Sequence, residues 1–217
     1  MYAQVVLFDG FDPLDVIAPY EVLSAGSDAA GGALELSLVT AEGARTVISG
    51  TPGLSLEATA KLDPALPGLI VIPGASGPVA ADPDVVDTIP VLLARVGGTD
   101  LPALVRQAFD NPDLIVATVC GGSLALAMAG VLEGRTAVTH RLGLEVLEAT
   151  GVTVVDARVV DDGNLVTAGG VTSGLDLGFY LLDRLFGPKV ALSVEHLFQY
   201  ERRGIVWRNA GLEPVEV

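Results

Sequence analysis

The sequence predicts a single doubly wound α/β domain: a mostly parallel sheet with helices on both faces. Three observations predict it. Short apolar, β-branched runs at 69–72 and 114–119 read as strands buried on both faces. Such runs alternate with helix-length stretches, the order expected of a parallel sheet with crossover helices. The strand ending at Val119 passes into a helix with only Cys120-Gly121-Gly122 between them. A turn that sharp forces its apex residue into a sparsely allowed conformation and requires small neighbours.

In chain order, residues 4–8 form a short buried strand and Asp9-Gly10 turns the chain. Asp12 fits the N-cap of a first helix and Pro13 its first position, where a missing N–H costs nothing. Val16, Tyr20 and Leu23 follow at helical spacing, and Gly26 marks the end. Residues 34–40 alternate as a second strand. Residues 44–49 and 54–57 read as a hairpin around Gly50-Thr-Pro-Gly53. The strand at 69–72 runs into a loop at 73–77. Two helical stretches, 84–96 and 99–109, are separated by Gly97-Gly98. The helix after Cys120 stops at Gly130. A short strand over 136–139 ends at His140, and a helix over 142–149 stops at Gly151. Strands over 152–160 and 165–168 flank a turn at 161–164. Ser173 reads as the N-cap of a helix to Phe186, with Asp176 three residues on in a capping box. Pro188 starts a last helix to about Arg202. The domain is expected over 1–202, with 203–217 as a C-terminal extension.

Half of the 217 residues are hydrophobic and 18% are charged, which allows a large core and excludes disorder over most of the length. Pro, Gly or charge interrupts every apolar run before it reaches a membrane span. Residues 1–8 enter a strand pattern with no basic n-region or cleavage site. A single cysteine makes no internal disulfide and suits a reducing compartment, so a cytoplasmic protein is expected, with no membrane partner. A formal net charge of −15 disfavours nucleic acid as a partner. One Cys and two His make no zinc-ligand cluster, so no metal is expected.

Cys120 is the candidate nucleophile. The elbow lifts its side chain clear of the sheet, and the helix behind it offers free N–H groups and partial positive charge. These predict an acidic, easily oxidised thiol. Asp15 has two readings: a carboxylate serving the first turn of its helix, or an acid facing Cys120 with a raised pKa. Gly74, Ala75 and Gly121 have a steric role in loop and elbow, and the N–H groups of Ala75 and Gly121 are candidate donors to developing negative charge. His140 follows the elbow as the second member of a candidate Cys–His dyad, or serves structure alone. His196 reads as structural, and Asp9 and Asp12 as turn and cap residues.

Asp15-Val-Ile-Ala-Pro19, Ile72-Pro73-Gly74, Val119-Cys120-Gly121-Gly122-Ser123, Thr139-His140 and Gly170-Val-Thr-Ser-Gly-Leu-Asp176 occur in this order along the chain. In order and spacing they resemble the ThiJ/PfpI superfamily, which has the flavodoxin-like fold of class I glutamine amidotransferases. Leu132-Glu-Gly-Arg-Thr-Ala-Val-Thr-His140 makes the chain look most like the isocyanide (isonitrile) hydratase branch and the ligand-sensing domains of AraC-type regulators. The resemblance implies that Cys120 attacks the isocyanide carbon and Asp15 handles protons. In that branch the histidine is not the accepted base. The hydratases carry Thr where this chain has Gly121, and a second Gly where it has Ala75.

The expected activity is hydration of an isocyanide to an N-substituted formamide, a lyase reaction on a small-molecule substrate. No cofactor is called for, because the thiol supplies the covalent chemistry. The alternatives are another amidase, deglycase or glyoxalase-type hydrolase of the superfamily, and a non-enzymatic domain that binds small molecules or senses oxidation through Cys120. A homodimer with the site near its interface is implied by the resemblance.

Overall fold

The protein is described by a computed structural model covering residues 1–80 and 87–212. In chain order its elements are β1 (Tyr2–Val6), α1 (Pro13–Ala29), β2 (Glu35–Thr40), β3 (Arg45–Ile48), β4 (Ser55–Ala58), β5 (Ala60–Lys61) and β6 (Gly68–Ile72). Next come α2 (Ile89–Val96), α3 (Leu101–Phe109), β7 (Leu114–Val119), α4 (Gly122–Met128), β8 (Thr136–Ala137), a 3-10 turn at Arg141–Gly143 and α5 (Leu144–Ala149). The chain ends with β9 (Thr153–Val154), β10 (Val159–Asp161), β11 (Leu165–Ala168), α6 (Ser173–Phe186), α7 (Pro188–Phe198) and β12 (Trp207–Arg208). The first residues of the helix expected over 84–96 and the end of the C-terminal extension lie outside the described residues.

The apolar runs form one eight-stranded sheet in the order β12-β10-β11-β7-β6-β1-β2-β5. Each pair in it is parallel except β10–β11, an antiparallel hairpin. β6 is buried at every position, as a central parallel strand requires. From β1 the chain moves outward to β2 and then returns to β6 on the other side, which makes the boundary between β1 and β6 the topological switch point. In doubly wound sheets the crevice at such a point takes ligands. The loops after β1, β6 and β7 open there side by side.

Helices α1, α6 and α7 pack together as one layer, and α2, α4 and α5 as another. Asp12 caps α1 as expected: its side chain accepts from Leu14 N at 2.9 Å, and Pro13 follows. The helix does not stop at Gly26 but continues to Ala29. A Cβ on Gly26 would lie 2.1 Å from Leu182 Cδ2, so this glycine lets α6 approach α1. The hairpin of β3 and β4 forms as predicted, with Val47 opposite Leu56. The strand expected over 152–160 divides in two, because β9 leaves the main sheet to pair with β8 while β10 stays in it. Within the C-terminal extension, β12 adds a short parallel strand to β10.

The capping box expected at Ser173 and Asp176 is corrected. Thr172 occupies the N-cap with no side-chain cap bond, and Ser173 is the first residue of α6. Asp176 instead accepts from Arg158 Nε at 2.7 Å, and this ion pair holds its buried carboxylate. Among the described residues, no helix is long and apolar enough to cross a membrane.

Candidate active site

Cys120 sits at the end of β7 with φ of 54°, a left-handed conformation unusual for a side chain larger than glycine. Its N–H donates to the carbonyls of Ala168 (3.1 Å) and Gly169 (2.9 Å), and its own carbonyl accepts from Thr139 Oγ1 (2.7 Å). These bonds hold the strained residue from both sides. Gly122 seats the elbow on the neighbouring strand: a Cβ there would lie 2.4 Å from Ile72 O. Gly121 has ordinary helical dihedrals, so space and not conformation selects it. A Cβ on it would lie 2.7 Å from Leu93 Cδ1 on α2.

Asp15 lies in the first turn of α1 and is 0% exposed. Its Oδ2 accepts from Gly74 N at 3.0 Å, while Oδ1 has no partner among the described residues. A Cβ on Gly74 would lie 2.6 Å from Gly121 N, 3.0 Å from Asp15 Oδ2 and 3.1 Å from Cys120 Cβ. The three loops at the sheet's switch point therefore meet within one side chain's width. Burial pushes the Asp15 carboxyl up to about 8; the charge of Asp12 adds to this, while bonds from Gly74 and the Cys120 side chain oppose it. Asp15 therefore holds its proton through most of the neutral range.

The acidic thiol expected from the elbow is overturned. Burial pushes Cys120 up to about 12, with Asp15's charge as the second cause. N–H groups of Val171 and Gly121 donate to the sulfur and lower its pKa, but by less than burial raises it.

Cys120 opens onto a cavity of about 470 Å³, whose walls include Ile89, Leu93, Leu124, Met128 and Val146. Among its described lining residues there is no Lys or Arg; besides Cys120, Asp12 and His140 are its titratable side chains. Ala75 lines the same cavity. It bridges antiparallel to Phe11, but the bonds of that bridge are made by Asp12 N to Gly74 O and Ser76 N to Gly10 O, so its own N–H is not spent on Phe11. Gly74 has a different role from a donor to substrate, because its N–H is committed to Asp15. His140 Nδ1 accepts from Leu142 N at 3.2 Å, capping the 3-10 turn, which leaves the neutral ring's proton on Nε2. The ring packs against Gly170, and none of the hydrogen bonds among the described residues joins it to Cys120. His196 is exposed on α7, and Asp9 ties Arg45 and Ile48 N of the hairpin, away from the thiol.

Val171 was not singled out by the sequence. Its motif, Gly170-Val-Thr, is visible, but a β-branched residue with φ of 20° and an N–H aimed at a sulfur 51 positions earlier leaves no local signature. Among the described residues no cluster of three or more His, Cys, Asp or Glu is arranged to hold a metal ion.

Residues 93–184 match the DJ-1/PfpI family. The chain is 31% identical to isonitrile hydratase of Pseudomonas putida over 199 residues, 90% of this chain and 76% of that protein. It is 30% identical over 101 residues to the HTH-type transcriptional regulator CdhR of Pseudomonas aeruginosa, a match that covers 45% of this chain and 30% of the regulator. Its fold is that of Drosophila melanogaster DJ-1beta, with a TM-score of 0.73 at 17% identity, covering 92% of this chain and 98% of that one. With an elbow cysteine on this fold, and similarity to the hydratase along nearly its whole length, the chain belongs to the DJ-1/PfpI family.

Proposed function

We propose that the protein is a cysteine-dependent hydro-lyase that adds water to a small, uncharged isocyanide and releases the N-substituted formamide. The observation that carries this is the thiol of Cys120 beside a buried carboxyl that keeps its proton near neutral pH. The terminal carbon of an isocyanide accepts a proton and then a nucleophile. Asp15 in its acid form gives its proton to that carbon as Cys120 Sγ bonds to it, and the thiol proton passes to the carboxylate. The net step adds S–H across the carbon and leaves a thioimidate. This route needs no preformed thiolate, so a thiol pKa near 12 is compatible with it.

Water then adds to the thioimidate carbon. Its proton moves to one oxygen of the Asp15 carboxyl while the other oxygen protonates the nitrogen. The C–S bond breaks, the hydroxyl proton returns to sulfur, and the formamide leaves. The N–H groups of Gly121 and Val171 stabilise charge on the departing sulfur. The apolar cavity without a described cation supports an uncharged substrate, and the likeness to isonitrile hydratase supports the reaction class. A cytoplasmic homodimer belongs to the same proposal, on the family resemblance.

A second reading, a small-molecule-sensing domain without turnover, is favoured by the high thiol pKa and the likeness to a transcriptional regulator. Incubation of native protein and Cys120→Ala with benzyl isocyanide separates the two. The enzyme reading expects N-benzylformamide from the native protein and none above background from the variant. Saturable binding with no formamide from either protein supports the sensing domain and overturns the hydratase.

A further inference from the structure

The turn that brings Val171 to the sulfur is held by a network that the proposed reaction does not use. Val171 combines a β-branched side chain with positive φ, a strained state that persists only where its surroundings impose it. Arg158 grips this turn on both sides. Its carbonyl accepts from Gly169 N at 3.0 Å, two residues before Val171. Its Nη2 donates to Thr172 Oγ1 at 3.2 Å, one residue after. Its guanidinium is anchored in turn by Asp176, whose Oδ2 lies 2.7 Å from Nε and 2.6 Å from Nη2. Asp176 is 3% exposed and also accepts from Tyr200 Oη at 3.1 Å and Arg203 N at 2.7 Å. The side chain of Thr172 is free for Arg158 because it makes no cap bond in α6.

We propose that Arg158 is a positioning residue for the Cys120 site: its fork fixes the strained turn so that the Val171 N–H stays on Sγ. The groups acting on the sulfur itself are Asp15 and Asp12 from the α1 side, and the N–H groups of Gly121 and Val171. Arg158 acts through the last of these and not by its own charge. A planar fork that spans Thr172 and Asp176 cannot be replaced by the single ammonium of lysine. The competing role is anchorage alone, in which Arg158 and Asp176 merely fasten Tyr200 and Arg203 to α6.

Iodoacetamide alkylation of Cys120 against pH, with thermal melting on the same samples, tests this in the full chain. Losing the Val171 N–H removes a bond that favours the thiolate, so the thiol pKa rises. Arg158→Met and Arg158→Lys are both expected to slow alkylation at about pH 9 by roughly three- to tenfold, the change in thiolate fraction for up to one pKa unit. Thr172→Val, which leaves the Asp176 anchor intact, is expected to shift the profile the same way by less, and Thr172→Ser to restore it. Lower melting temperatures with unchanged alkylation profiles in both Arg158 variants would show anchorage alone. A native profile for Arg158→Lys would show that charge and not the fork acts. Should the Arg158 variants fail to fold, a Thr172→Val profile matching the native one overturns the proposal.

Discussion

Asp15 is where burial decides the chemistry. Both oxygens leave water, yet only Oδ2 gains a backbone partner, so the neutral acid is favoured. This has a consequence for stability. An unfolded Asp titrates near about 3.9, and the folded one is raised to about 8. Between those values the folded chain keeps a proton that the unfolded chain has released. Stability therefore falls as pH rises through this window, and the loss is complete above the folded value. Asp15→Asn has no charge to bury. It is expected to melt above the native protein at pH 8 to 9, with a gap on the order of a few kcal/mol that closes toward pH 4. Thermal melts across that range check it, and a gap independent of pH contradicts it. The place of Asp15 in a first helical turn was legible in the sequence, from Asp12 and Pro13. Its complete burial was not, because the groups that cover it come from Gly74 and Cys120, far along the chain. The same distance explains the error on the thiol: the elbow is a local pattern, and the desolvation that outweighs it is a tertiary effect.

Among the elements, the elbow between β7 and α4 was the most legible, since strand, apex and small residues are consecutive. Helix ends were less so wherever a glycine served packing. Gly26 reads as a stop signal, yet it is the contact point of α1 with Leu182 of α6. Gly121 is a related case. Its neighbour across the cavity is Leu93 of α2, which fills the volume that a side chain after the cysteine would take. The two positions are therefore expected to be coupled. Gly121→Thr forces Leu93 aside and should cost about 1–3 kcal/mol. Leu93→Ala opens a buried site, Leu93 being 2% exposed, and should cost about 2–5 kcal/mol. The double variant should lose clearly less than the sum, as Thr occupies the space vacated by Leu. Urea unfolding of the four proteins measures this. Additive costs would show that α2 moves independently of the elbow.

At the scale of the whole molecule, the doubly wound order was predicted from alternation of strands and helices, and the switch point between β1 and β6 places Asp15, Gly74 and Cys120 in one crevice. The split of the strand expected over 152–160, the pairing of β12 with β10, and the Arg158–Asp176 pair depend on contacts that no local pattern announces. The cavity's described lining has no Lys or Arg to pair with an anionic substrate. The central claim is that this fold brings a thiol and a proton-bearing carboxyl together as one reacting pair. Turnover of benzyl isocyanide by Asp15→Asn tests it most directly. Above about pH 8, where native Asp15 is ionised, removing its charge should make the Cys120 thiol more acidic, since that charge raises its pKa. If thiolate alone were limiting, the variant would be faster. If Asp15 carries the proton to and from the substrate, formamide production falls by roughly a hundredfold or more despite the more acidic thiol. Formamide production at or above the native rate in a folded Asp15→Asn protein would contradict the pair and leave Asp15 as a carboxyl of the helix end.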